Sequence, residues 1–175
     1  MSNNFLWNRV LGFISKRERC EKEVREYLKR LIEKYHVGEG LMTLPMGQVV
    51  RPVPTENDKI DETIQKLKSL DFLNEERYVK AYIHDNYNLK HKGKNRIHQE
   101  LKNKGINELT IEKYLGEIGA ENEAENALEL AKKRREFMKK LPVLTQKRRL
   151  YGLLVRRGFS PEIALDTIDK IVQKR

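Results

Sequence analysis

The chain has 175 residues, 38% of them apolar and 35% charged, and carries a formal net charge of +10. Those proportions leave a modest core under a heavily charged surface, and few Gly and Pro beside abundant Glu, Lys, Leu and Arg favour helix over sheet. No apolar run approaches the ~20 residues of a membrane span, and the single cysteine, Cys20, excludes an intrachain disulfide and fits a reducing cytoplasm.

In chain order, the first nine residues lack the apolar stretch of a signal peptide. A leading helix is expected over 4–14, with Trp7 in the core of a first repeat. A second helix follows from Cys20, with Val24 and Leu28 four apart on its apolar face. The segment 36–54 holds three of the five prolines and three of the ten glycines. It reads as an insertion, either a short hairpin of 41–44 against 48–51 or a loop. A third helix spans 56–69. Its Asp58, Asp61 and Glu62 stand near a helix start, where acidic side chains meet the positive helix end, and do not form a two-metal site.

The next leading helix is expected over 74–89. Asn74 caps it, Glu75 and Glu76 favour its positive end, and Leu73 staples on Tyr78. Tyr78, Val79, Tyr82, Ile83 and Tyr87 form its apolar stripe. Two later segments, 93–107 and 146–160, then share one pattern at an offset of about 53 residues, obtained by aligning Gly105 with Gly158. Ile97 falls on Leu150, and Leu101 on Leu154. Gly105 and Gly158 suit the left-handed residue that ends a helix. Ile106 and Phe159 are placed to pack back on Leu101 and Leu154, and Asn107 and Ser160 to cap the next helix. Pro161 occupies a first helical position, where a missing N–H costs nothing, and Ile106 can staple on Ile111. The 20–28 stretch is a fainter copy, with Val24 and Leu28 in the places of Ile97 and Leu101. A leading helix over 121–139 and third helices over 108–118 and 161–173 complete three units. The expected fold is all-α: three tandem three-helix repeats in an elongated, curved array, at 1–70, 71–119 and 120–175, with the insertion in the first.

The charge is uneven. From Glu129 to Arg175 there are 14 Lys/Arg and 5 Asp/Glu; the preceding 128 residues hold 22 and 21. A basic C-terminal third points to a polyanionic partner, most simply nucleic acid.

Four segments carry a family resemblance: Arg17-Glu18-Arg19-Cys20-Glu21-Lys22-Glu23-Val24, Phe72-Leu73-Asn74-Glu75-Glu76-Arg77-Tyr78, Leu101-Lys102-Asn103-Lys104-Gly105-Ile106 and Leu153-Leu154-Val155-Arg156-Arg157-Gly158-Phe159-Ser160. In order and spacing they resemble the signatures of the RecX family, over nearly the whole chain except 36–54. The resemblance implies a cytoplasmic bacterial regulator of the RecA recombinase, active in DNA repair, recombination and the SOS response. It implies three tandem three-helix repeats lying in the groove of the RecA filament on single-stranded DNA. It implies restraint of strand exchange, ATP hydrolysis and filament growth, without chemistry or cofactor of its own. The expected partners are the RecA filament and single-stranded DNA, with double-stranded DNA as a further candidate, and the expected state is a monomer. The competing reading is a general DNA-binding helical repeat protein. Two departures stand out: Cys20 replaces the family's common Ser in a capping box with Glu23, weakening that helix start by up to ~1 kcal/mol, and Glu75 replaces Asp.

The candidate filament- and DNA-binding residues are clustered cations: Arg148, Arg149, Arg156 and Arg157 on the second helix of the third repeat; Lys94, Arg96, Lys102 and Lys104 on its counterpart in the second; Arg17, Arg19 and Lys22 near the start of that in the first. The run Lys132-Lys133-Arg134-Arg135 reads instead as solvated helix surface. Tyr82, Tyr87 and Tyr151 could stack on bases but sit at core spacing. His84, His91 and His98 are seven apart, yet Gly93 breaks the helix between them and no Cys or carboxylate spacing supports a metal. Cys20 has no partner pattern for nucleophilic work, and no glycine-rich phosphate loop is present.

Overall fold

The computed structural model describes residues 3–35 and 55–172; the expected insertion and its hairpin alternative lie outside them. Among the described residues there are nine α-helices, one π-helical turn and no strand. The chain divides into two compact units, Met1–Tyr78 and Val79–Arg175.

The first unit is built on α1 (Asn3–Ile14), α2 (Glu21–Tyr35) and α3 (Glu56–Ser69), with α2 packed against both of the others. Val24, Leu28 and Ile32 recur every four residues along α2 and meet Leu6, Val10, Ile60, Ile64 and Leu67 in one apolar core. Trp7, expected within this core, is half-buried at its edge, with the Lys66 ammonium 4.4 Å from its ring centroid. Cys20 is buried beside the start of α2, and its carbonyl accepts from the Val24 N–H at 3.2 Å. Thr55 and Asp58 form a reciprocal capping box at the start of α3, which gives Asp58 a structural role. Just past the end of α3 the chain turns at Asp71, which takes a left-handed φ of 54° without being glycine. Its carboxylate accepts from Asn74 and Arg77, and the Asn74 side chain caps the next helix by accepting from the Arg77 N–H at 3.0 Å.

That next helix, α4 (Glu75–Ile83), gives way to a π-helical turn over His84–Leu89 where one continuous helix was expected. The buried Asn86 explains the change. Its side-chain amide donates to the Tyr82 carbonyl at 2.8 Å, entering the backbone ladder and widening the turn. The Asn126 amide then donates to the Tyr87 carbonyl at 3.0 Å, fastening the turn to a helix far along the chain.

The rest of the second unit holds α5 (Lys94–Asn103), α6 (Glu108–Gly116), α7 (Ala120–Glu136), α8 (Val143–Arg157) and α9 (Pro161–Val172). Helices α7, α8 and α9 pack pairwise around Ala127, Ala131, Leu150, Leu154, Phe159 and Ile168. Both glycine turns take the form their sequence predicts. Gly105 and Gly158 have φ of 77° and 91°, and Ile106 and Phe159 donate back to the carbonyls of Leu101 and Leu154. Asn107 and Ser160 cap α6 and α9.

One junction was not predicted. The C-terminal end of α8 abuts the N-terminal end of α5: Gly93 N–H donates to the Arg157 carbonyl at 2.8 Å, and Asn95 N–H to the Gly158 carbonyl at 3.2 Å. Carbonyls left over at one helix end thus satisfy amides left over at another, with favourable dipole alignment. The approach demands glycine twice: a Cβ on Gly93 would lie 2.4 Å from Gly158 backbone, and one on Gly158 2.3 Å from the Arg96 Cβ.

Candidate polyanion interface

The cations singled out in sequence differ sharply in what they are free to do. Arg19 is turned inward: its side chain is 13% exposed, its guanidinium lies 4.1 Å from the Phe13 ring centroid, and it pairs with Glu23 at 3.8 Å. Arg17 shares Glu23 at 3.8 Å but stands 65% exposed, and Lys22 is exposed. Lys94 is also internal. Its ammonium donates to the Ile118 carbonyl at 2.5 Å, and the buried Glu123 accepts from its backbone N–H at 3.1 Å. Arg96 and Lys102 face solvent but hold Glu100 at 2.7 Å and Glu108 at 3.3 Å, and the Lys104 ammonium lies 5.7 Å from the Tyr82 ring centroid. Arg157 donates to the Lys90 carbonyl at 2.5 Å and so reinforces the α8–α5 junction.

Glu100 anchors the α5 surface. Burial alone would raise its carboxyl, but hydrogen bonds from Lys92, Tyr82 and Arg96 outweigh that and bring it down to about 2. An ionised carboxylate therefore offsets much of the positive charge on this part of α5.

Helix α8 differs. Arg148, Arg149 and Arg156 lie with Gly152 on one face, opposite the buried stripe of Gln146, Leu150 and Leu154. Together with Arg134, Phe137 and Met138 from the end of α7 and the turn after it, they line an open cleft of about 640 Å³ that contains no carboxylate. No acidic side chain of the described residues pairs with any of these four arginines. Arg156 also reaches a neighbouring cleft of about 610 Å³, shared with Lys92, Arg96 and Arg157 but containing Glu100. The four cations predicted on α8 thus divide into three in the first cleft and one, Arg157, at the junction.

Two residues of this cleft were missed. Arg134 belongs to the run read as solvated surface, and the structure separates that run. Arg135 donates to the Ile171 carbonyl at 2.5 Å, Lys133 lies 3.8 Å from Glu129, and Arg134 enters the cleft. Phe137 is 83% exposed. The available signal was its position: a large aromatic three residues after Arg134, close behind the cationic run that ends α7.

The aromatic candidates also sort differently from their spacing. Tyr87 is buried, and burial, with Glu123 and Glu125 nearby, pushes its hydroxyl up to about 12. The Tyr82 hydroxyl donates to Glu100 at 2.7 Å. Tyr151, expected at a core position, is 37% exposed on α8. The three spaced histidines go to separate neighbours: Asp85 near His84, Asn126 and Lys133 at His91, Glu108 at His98. Among the described residues no group of three or more His, Cys, Asp or Glu could hold a metal ion, and no helix is long and apolar enough to cross a membrane.

Comparison with known proteins agrees with this architecture. Residues 74–115 match the family model described as "RecX, second three-helix domain", and residues 121–168 the one described as "RecX, third three-helix domain"; together they span just over half of the chain. The "Regulatory protein RecX" of Bacillus cytotoxicus is 26% identical over 166 residues, covering 95% of this chain and 53% of that protein. That of Clostridioides difficile is 36% identical over 117 residues, covering 65% and 53%. The chain thus spans about half the length of the curated relatives it matches. The crystal structure of RecX from Lactobacillus salivarius superposes with a TM-score of 0.70 at 25% identity, covering 98% of this chain and 96% of that one. A second crystal structure, of a regulatory protein RecX, gives the same TM-score at 21% identity and supports the fold alone.

Proposed function

The chain belongs to the RecX family, and from that premise we propose that it is a non-catalytic regulator that binds the RecA–single-stranded-DNA filament and restrains strand exchange, ATP hydrolysis and filament growth. The relatives it matches carry the name of regulatory proteins, which supports the regulatory role. The observation that carries the binding side is the α7–α8 cleft, where Arg134, Arg148, Arg149 and Arg156 have no carboxylate partner among the described residues. A solvated helix surface on a basic protein ordinarily threads Glu and Asp among its cations, as α5 and α6 do here. The cleft departs from that pattern and suits a polyanion.

In this reading the three-helix repeats, taken at 1–70, 71–119 and 120–175, lie along the groove between filament protomers. Bound there, the protein shifts the filament toward an inactive or dissociating state to the extent that it binds that state more tightly. The test is RecA-catalysed strand exchange and ATP hydrolysis with this protein added below filament stoichiometry. Both fall if the reading is right; if neither changes, it is wrong. The second reading, a binder of naked DNA, is favoured by the charge of the C-terminal third. Competition between RecA–DNA and naked DNA at physiological salt separates the two, because naked-DNA binding by cations alone weakens steeply with salt.

A further inference from the structure

We propose that the α7–α8 cleft is a single-strand nucleic-acid site, in which Arg134, Arg148, Arg149 and Arg156 hold consecutive phosphates and the Phe137 ring stacks on an unpaired base. The inference rests on the filament reading only for the origin of the strand, and it names which atoms of that assembly the third repeat touches.

Three observations converge. First, the four guanidiniums share one concave surface with no acid among the lining residues. Arg148 and Arg156 are about 12 Å apart along the helix axis at 1.5 Å per residue, enough to follow a backbone rather than grip one isolated anion. Planar guanidiniums favour bidentate contacts to phosphate oxygens. Second, Phe137 is 83% exposed at the same cleft. A phenyl ring left in water beside arginines matches the pairing of cationic groove and aromatic platform used on single strands, where base faces are open; in a duplex they are covered. Third, Gly152 keeps the wall between the arginines open. It lies inside α8, where glycine is less favourable than Ala, and a Cβ there would sit 3.1 Å from the Arg156 Nη1. That contact is with the far end of a flexible side chain, so folding does not require the glycine. The space it leaves belongs to the cleft.

The test measures binding of the full chain to fluorescein-labelled oligothymidylate, across a salt series. Replacing all four arginines with Ala should flatten the plot of log affinity against log salt by about 2–3, at ~0.7 for each phosphate that is no longer neutralised. Phe137→Ala should weaken binding roughly fivefold to hundredfold while leaving the slope unchanged, and should have no effect on an abasic oligonucleotide of the same length. Gly152→Leu should fill the cleft and weaken binding at least tenfold without lowering the unfolding midpoint, which guards against misfolding as the cause. If all three variants bind oligothymidylate as the wild type does, the site is wrong. If polyglutamate displaces the oligonucleotide at equal charge concentration and Phe137→Ala is silent, the cleft docks an acidic protein segment and the proposal also fails. Loss of oligonucleotide binding in the variants, with strand exchange by RecA untouched by the wild-type protein, would keep this site and overturn the filament reading instead.

Discussion

Gly158→Ala removes two things at once, and two companion substitutions separate them. Gly158 has a left-handed φ of 91° and its missing Cβ leaves room for Arg96. Gly105 has a similar φ of 77° but nothing within 4 Å of a built Cβ, so Gly105→Ala carries the backbone strain alone, about 1–2 kcal/mol. Gly93 has an ordinary φ of −75°, so Gly93→Ala carries the clash alone. Relief of that clash requires α5 and α8 to part, breaking the bonds from Gly93 to Arg157 and from Asn95 to Gly158. At about 0.5–1.5 kcal/mol each, that costs about 1–3 kcal/mol. Gly158→Ala should then cost about 2–5 kcal/mol, more than Gly105→Ala by the value found for Gly93→Ala. Urea unfolding followed by far-UV circular dichroism measures all three, and Trp7 fluorescence reports separately on the first unit. Amide exchange reads the junction directly: Gly93 and Asn95 should lose protection in Gly93→Ala and Gly158→Ala and keep it in Gly105→Ala. Equal destabilisation by Gly105→Ala and Gly158→Ala, with both amides still protected, would refute the junction as a source of stability.

Three further outcomes follow from the buried charges. Glu100→Gln should cost about 2–3 kcal/mol at neutral pH, the value of holding a carboxyl at about 2 rather than near 4.5, discounted for its remaining solvent contact. Because the folded carboxyl is the more acidic, that stability is complete above about 4.5 and fades as pH falls toward 2, so wild type and variant should converge in acid unfolding curves. Arg19→Ala should destabilise the first unit by about 1–2 kcal/mol by removing the guanidinium that lies over Phe13, whereas the exposed Arg17→Ala should cost under ~0.5 kcal/mol; thermal melts by Trp7 fluorescence distinguish them. Glu123→Ala should cost about 2–3 kcal/mol by stripping the Lys94 N–H of its acceptor and the Lys94 ammonium of its nearby charge, and Glu123→Gln should recover part of it in the same urea experiment.

The helices were legible because they are punctuated by residues with one physical meaning. Gly105-Ile106-Asn107 and Gly158-Phe159-Ser160 encode a left-handed stop, an apolar contact and a cap, and each does all three. The turn at Asp71 was not legible, because Asp serves many roles and only its bonds to Asn74 and Arg77 reveal this one. The break in the helix after Ile83 was hidden for a similar reason. Asn86 looks like a surface residue until it is found buried and bonded to a carbonyl one turn back. At the candidate site the sequence shows where cations are and not which acids reach them. Lys94 and Arg19 sit beside partners 29 and 4 residues away, and only the former distance needs a fold to be bridged. Arg134 was missed because four adjacent cations project in four directions, and composition cannot say which one faces a neighbour.

The junction and the cleft bear on each other through Arg156 and Arg157. These adjacent residues stand about 100° apart around α8, so one can face the junction while the other faces solvent. Arg157 supplies its carbonyl to Gly93 and its guanidinium to Lys90, which fixes the end of α8 against α5. Arg156, held by the same helix end, reaches both the acid-free cleft and the one containing Arg96. Opening the junction should therefore cost binding as well as stability. In Gly93→Ala, which alters no cation, oligothymidylate affinity should fall while the salt slope contributed by Arg148 and Arg149 remains. If Gly93→Ala opens the junction by amide exchange and leaves affinity untouched, the cleft is set by α7 and α8 alone, and the contact between α5 and α8 serves stability only.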